Sequence, residues 1–321
     1  MNALSRILVP VDESKMSNEA LAFALDLAER SGAKIVFCHA VELAGAAAAW
    51  GTPYVMPDTA LLERQEDECK RVLSRASVGA TAQGVANETV ELAGPAVPAI
   101  LDLLEKRQNI DAIVMGTHGR RGLSRAFFGS TTEGIIRQAA VPVFALPQSA
   151  STAAERPVGF SCILVALDHT DAADAALDFA IGLAEPEKTR IILANAVDIL
   201  SNYDELAASQ SSPLSAAATG ERNTSQALLD AAAARIGARG IVETGVIEGP
   251  PSPSILELAR ARGADLIAIG THGRRGIERL VLGSVAEGVL RFAPVPVLVV
   301  HRGKRAAKKK SEAVPATSEV A

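Results

Sequence analysis

Two glycine-rich stretches hold the residues whose types and spacing can do chemistry: Gly116–Ser130, GTHGRRGLSRAFFGS, and Gly270–Ser284, GTHGRRGIERLVLGS. Ten of the fifteen positions are identical, and both copies have the spacing G-x2-G-x9-G-[ST]. Each follows an apolar run opened by an aspartate, Asp111 or Asp265, and each precedes a segment with helical character. A glycine-rich turn between a strand and a helix lets backbone N–H groups converge on an anion, and the helix N-terminus adds partial positive charge. Phosphate is the ligand this arrangement suits. Gly116 and Gly119 permit close approach of the chain, and Gly129-Ser130 and Gly283-Ser284 open the next helix with a hydroxyl. Arg120, Arg121, Arg274 and Arg275 offer guanidinium groups either to that phosphate or to solvent. The pattern lacks the Gly-Lys-Ser/Thr ending of a P-loop and differs from the dinucleotide spacing G-x-G-x-x-G.

Asp12 and Asp168 end the first apolar run of each half. A carboxylate there either accepts hydrogen bonds from ribose hydroxyls and an adenine amino group or caps the following helix, with Ser14, Ser17 and Thr170 as competing caps. Hydrolysis would need a water-positioning base beside the phosphates. His118 and His272 are the candidates, one per loop, but a histidine flanked by glycine on a polar loop also serves as a plain hydrogen-bonding residue. The five histidines and three cysteines form no metal-ligand spacing. No catalytic or metal residue is assigned, and a binding function is expected.

The elements that must position these residues alternate. RILVPV from Arg6 is a strand, and Ser17 opens an apolar-periodic helix that stops at Gly32. Ala33–Ala40 is a second strand, and 41–57 a long loop holding Trp50. Asp58 can cap the next helix. Asn87–Leu92 follows as the third strand, Gly94-Pro95 punctuates, and Pro98–Arg107 reads as helix. Asp111–Met115, Thr131–Gln138 and Pro142–Leu146 complete the half as strand, helix and strand. The second half repeats this plan from Ser161, with Gly249-Pro250 answering Gly94-Pro95 and 198–220 answering the long loop. Strand and helix in alternation require parallel sheets covered on both faces. The expected fold is therefore α/β, two doubly wound three-layer α/β/α sandwiches of Rossmann-like type, each with a five-stranded parallel sheet. A ligand belongs beyond the carboxyl ends of the strands. The expected divisions are residues 1–147, a linker at 148–159, a second domain at 160–302, and a tail at 303–321.

Composition narrows the function classes. Aromatic residues make up 3% of the chain, which argues against base-stacking platforms for nucleic acid. Net charge is −5, although Lys304, Arg305, Lys308, Lys309 and Lys310 gather in the tail, so the body is more acidic than the total suggests. No run reaches the roughly 18 consecutive apolar residues that a membrane span needs. Cys38 and Cys162 lie in apolar runs where cysteine packs as a small hydrophobe. A soluble, cytoplasmic protein is expected.

On these motifs both halves resemble universal stress protein domains, and the chain resembles the tandem, two-domain form of that family over about residues 4–147 and 160–301. The resemblance implies strand order 3-2-1-4-5, association through the fifth strand and, in one branch, ATP, with or without magnesium, held by the G-x2-G-x9-G-[ST] loop. Carried over by position, Asp12 and Val41 face ribose and adenine, and Met115, Gly116, Gly119, Gly129, Ser130 and Thr131 surround the phosphates and sugar. The matching positions are Asp168, Val197, Ile269, Gly270, Gly273, Gly283, Ser284 and Val285. The family's V-P-x-D ending is kept at Val9–Asp12 but reads Val165-Ala166-Leu167-Asp168 in the second half, and the family's VPVLVV, present at 295–300, reads VPVFALP at 141–147. The implied partners are adenine nucleotide, an intramolecular pseudo-dimer of the two halves, a homodimer of whole chains as an open alternative, and a signalling partner in stress response; the alternatives to a nucleotide-binding module are a partner-binding scaffold with unused pockets and a slow ATPase.

Overall fold

The computed structural model describes residues 4–41, 59–117, 129–147, 159–198, 214–237, 240–271 and 282–301. The central parts of both glycine-rich loops, with Gly119, Gly273, His118, His272 and the four loop arginines, lie outside the described residues. So do Trp50, Asp58, most of the linker and the basic tail.

The first half runs β1 (Arg6–Pro10), α1 (Lys15–Ser31), β2 (Lys34–Val41), α2 (Thr59–Ala82), β3 (Asn87–Ala93), α3 (Ala96–Lys106), β4 (Ala112–Gly116), α4 (Ser130–Gln138) and β5 (Val143–Leu146). The second half runs β6 (Cys162–Ala166), α5 (Asp171–Leu183), β7 (Arg190–Val197), α6 (Leu214–Ile236), β8 (Ile241–Glu248), α7 (Pro251–Ala261), β9 (Leu266–Gly270), α8 (Ser284–Phe292) and β10 (Val297–Val300). Within each half all neighbouring strands are parallel, in the order β3-β2-β1-β4-β5 and β8-β7-β6-β9-β10.

The two sheets do not remain separate. β5 pairs antiparallel with β10, Val143 opposite Val299, Phe144 opposite Leu298 and Ala145 opposite Val297, which makes one ten-stranded sheet. The register is symmetric about Phe144 and Leu298, which hold equivalent places in the two halves. The pairing is therefore isologous, as at a twofold dimer interface. Phe144 in place of the leucine of β10 leaves the ladder intact.

Strands buried on both faces explain the unbroken apolar runs. Ile7 and Val9 face a core with α1, α2, α5 and α6, whereas Leu8 and Val36 face a core with α3, α4, α7 and α8. Each core continues through both halves. At the seam the rings of Phe23 and Phe144 lie 5.6 Å apart and those of Phe144 and Phe179 6.1 Å, while the Arg30 guanidinium sits 5.4 Å from the Phe160 ring. Such ring pairs add about 0.5–1.5 kcal/mol each beyond their burial. A chain poor in aromatics thus spends several of them where its halves meet. The three cysteines are buried and unpaired, and burial pushes the Cys38 thiol up to about 12, so it stays protonated as a packing group.

The aspartates that open the fourth strands have a structural role. Asp111 Oδ2 accepts from the Ser5 and Arg6 N–H groups, and Asp265 Oδ2 accepts from the Ser161 and Cys162 N–H groups and the Ser161 hydroxyl. They fasten β4 to β1 and β9 to β6 at the amino edge of the sheet, the end opposite the loops. Burial pushes the Asp265 carboxyl above the usual carboxylate range, against the pull of these donors.

Phe144 is fully buried and touches rings from both halves. Phe144→Ala is expected to lower the unfolding free energy by about 3–5 kcal/mol, measured by urea denaturation. A loss below about 1 kcal/mol would mean that the seam contributes little to stability.

Candidate functional site

In each half the strand order reverses between the first and fourth strands, β1 beside β4 and β6 beside β9. Loops leaving the carboxyl ends of these strands part in opposite directions and leave a crevice. Asp12 lies just beyond β1 on that crevice, half-buried. Its Oδ1 accepts from the Ser14 N–H at 2.9 Å, and its own N–H donates to Ser17 Oγ at 2.9 Å. The cap of α1 is Ser14, whose side chain accepts from the Ser17 N–H. Likewise Asp168 Oδ1 accepts from the Thr170 N–H and hydroxyl, and Thr170 caps α5 by accepting from the Ala173 N–H. Neither aspartate is therefore a helix cap. Each is held two residues upstream of the cap, with its carboxylate fixed at the strand end.

Gly116 and Gly270 end the fourth strands, and their close approach is to a helix. A Cβ on Gly116 would lie 2.7 Å from Met16 Cβ and 3.0 Å from its carbonyl oxygen, and one on Gly270 would lie 2.7 Å from the Ala173 nitrogen. These glycines let the first turn of α1 and α5 press onto β4 and β9. Thr117 and Thr271 follow, both buried. The Gly129 N–H donates to the Thr117 carbonyl at 2.8 Å, and the Gly283 N–H to the Thr271 carbonyl at 2.7 Å. Each loop is thus pinched shut at its base, and the third glycine of the motif uses its N–H for that closure. Thr132 Oγ1 adds a bond to the Gly116 carbonyl at 2.7 Å, for which Ala286 in the second half has no counterpart.

Gly129 and Gly283 are the N-caps of α4 and α8, in extended conformations open to any residue, and neither helix start has a side-chain cap bond. An N-cap side chain ordinarily covers the amides of the first turn. With glycine there, the amides of Ser130–Thr131 and Ser284–Val285 keep room for an external acceptor. Helices α3 and α7 also start without a side-chain cap, at Pro95 and Pro250, so an uncapped end is not distinctive alone. The distinctive feature is an uncapped helix end and a fixed carboxylate that follow the two adjacent strands of the switch point. Ser130 and Ser284 are exposed there, and Thr131 and Val285 half-buried. The side chains of Met115, Ile269 and Val197 are core residues at 4%, 5% and 6% exposure, so only their backbone can meet a ligand.

Several supporting residues carry no motif and escape sequence reasoning. His39 Nδ1–H donates to the Val11 carbonyl at 2.6 Å, and Asn195 Nδ2–H donates to the equivalent Leu167 carbonyl. Both hold the strand end that carries the aspartate. Their only sequence signal is a polar residue inside the second apolar run. Gly94 and Gly249 have φ of 99° and 112°, a region that costs glycine alone nothing, and their N–H groups donate to the Val41 and Val197 carbonyls. The Gly-Pro punctuation thus completes the end of the second strand. A recess of about 90 Å³ flanks Asp12 between α1 and α2, lined in part by Glu13, Asn18, Arg71 and Arg75. It is smaller than the roughly 300 Å³ of an ordinary ligand pocket. Among the described residues no group of three or more histidines, cysteines or carboxylates could hold a metal, and no helix is long and apolar enough to cross a membrane.

Residues 4–147 and 159–301 each match the sequence model of the universal stress protein family. A universal stress protein of Mycobacterium tuberculosis is 26% identical over 309 residues, covering 92% of this chain and 97% of that protein. One of Methanocaldococcus jannaschii is 48% identical over 64 residues, 20% of this chain and 38% of that protein. Among solved structures, a universal stress protein from Archaeoglobus fulgidus superposes with a TM-score of 0.67 at 22% identity, covering 94% of this chain and 97% of that one. That likeness is one of fold.

Two glycine substitutions should separate packing from helix propensity. Gly270→Ala meets the backbone of α5 and is expected to cost about 1–3 kcal/mol. Gly79→Ala, inside α2 with nothing within 4 Å, should instead stabilise by about 0.4–1 kcal/mol. Denaturant midpoints report both. Equal effects of the same sign would contradict the close approach at Gly270.

Proposed function

The chain belongs to the universal stress protein family, and from that premise we propose that it binds adenine nucleotide, ATP with or without magnesium, at one site in each half, and acts as a stress-response or signalling module through occupancy rather than catalysis. The observation that carries this reading is the pairing, at each switch point, of a fixed carboxylate with a glycine-capped helix start: Asp12 with Gly129–Thr131, and Asp168 with Gly283–Val285. The carboxylate suits the hydroxyl and amino donors of a nucleoside, and the open amides suit its phosphates. Val41 and Val197 end the neighbouring strands β2 and β7, and in this reading they face the ribose and adenine.

In the resulting scheme Met115, Gly116, Gly119, Gly129, Ser130 and Thr131 surround the phosphates and sugar of the first site, and Ile269, Gly270, Gly273, Gly283, Ser284 and Val285 those of the second. Residues 1–147 and 160–302 are the two binding domains, joined by 148–159 and followed by a basic tail at 303–321. The β5–β10 pair supplies within one chain the contact that two single-domain copies would otherwise make. A cytoplasmic location fits this role. Ligand bound only in one conformation would bias the partner-binding state of the chain.

Mass spectrometry of ligand released from the purified, denatured protein, followed by titration with ATP and magnesium, tests the proposal. Two equivalents of ATP per chain are expected. Gly129→Val and Gly283→Val, each placing a branched side chain over one helix start, should each remove one equivalent and leave the other. No released nucleotide together with no binding at millimolar ATP would refute the reading, and steady phosphate release would replace it with an enzyme.

A further inference from the structure

We propose that His301 is a positioning residue that couples the two loop sites, by tying the base of the second half's loop to the helix that begins at the first half's site. The proposal rests on the nucleotide-binding reading above for its functional meaning and on the following geometry for its existence. His301 directly follows β10 and is half-buried. Its Nε2 lies against the Ile136 carbonyl in the last turn of α4, 165 residues away in sequence. A carbonyl can only accept, so Nε2 carries the proton, and in the neutral ring Nδ1 accepts from the Thr271 hydroxyl at 3.1 Å.

Both ends of this bridge reach a site framework. The Thr271 carbonyl receives the Gly283 N–H that closes the second loop, and its N–H donates to the Val300 carbonyl. Ile136 lies about 9 Å along the axis from Ser130, at 1.5 Å per residue, on the same short helix. Antiparallel pairing of β5 with β10 makes this possible. It places the carboxyl edge of the second half beside the amino edge of the first, where α4 ends. Helix α4 therefore starts at its own site and finishes beside the other. Carbonyls of a last helical turn lack partners within the helix, so a donor from the neighbouring half acts as a cap in trans.

The bridge runs one way. The residue equivalent to His301 is Pro147, which has no side-chain donor, and the Thr117 hydroxyl, equivalent to that of Thr271, donates to the Leu146 carbonyl in its own half. A ligand held at the start of α8 fixes Thr271 through the Gly283 N–H, holds the His301 ring and steadies α4, which prepares the first site.

In the full chain, a two-site ATP isotherm should show one site tightening about fivefold when the other fills. His301→Ala should leave two sites of independent affinity. Fivefold coupling that survives His301→Ala, or its absence from the unsubstituted chain, would overturn the proposal. A ligand-free measurement separates its failure from failure of the binding reading. Thr271→Val removes the hydroxyl from one half and should speed hydrogen exchange across 130–138 in the other about fivefold. Unchanged exchange there would overturn the coupling even if both sites bind ATP. If the chain binds no ATP, the binding reading falls, and the exchange result alone supports or overturns the bridge.

Discussion

The hydrogen-bonded pairing of β5 with β10 is the constraint on which the rest of the molecule depends. A five-stranded parallel sheet ending at its fifth strand would expose a row of N–H and C=O groups, a template for uncontrolled association. Here each half covers the other's edge, and the symmetric register about Phe144 and Leu298 lets one ladder serve both. Both cores then extend without interruption from one half to the other. Because the ladder is antiparallel, it also turns the carboxyl edges of the two halves in opposite directions.

Rigid framework and open valence are divided between different atoms of each site. The carboxylates of Asp12 and Asp168 are fixed by local donors, the strand ends behind them by His39 and Asn195, and the loop bases by the amides of Gly129 and Gly283. The amides of the next two residues are left by glycine caps without side-chain cover. A site built this way would meet an anion with donors already in place, which reduces the ordering cost of binding.

The halves repeat a plan without being equivalent. Thr132 ties α4 to β4, whereas Ala286 does nothing comparable for α8. His39 answers Asn195, whose amide oxygen also accepts from the buried Ser225 hydroxyl. Pro147 answers His301. Each difference changes which bonds brace a similar backbone, so two sites with the same motif acquire different mechanical surroundings.

The sequence by itself determined the two-fold repetition, the alternation of strand and helix, and the placement of the glycine loops after the fourth strands. These depend on local periodicity and turn chemistry, which operate over a few residues. It also marked Asp12 and Asp168 as candidate site residues, but not whether they cap helices, because Ser14 and Thr170 compete for that place and only the observed bonds decide. The need for glycine at 116 and 270 was legible, yet its cause was not, since the atoms that exclude a Cβ belong to a helix distant in sequence. The same holds for the aspartates before β4 and β9, for His39 and for His301, whose partners lie 28 to 165 residues away. Tertiary structure alone decided these roles, because a hydrogen bond between distant segments leaves no period or spacing in the chain and exists only once the sheet brings its two ends together.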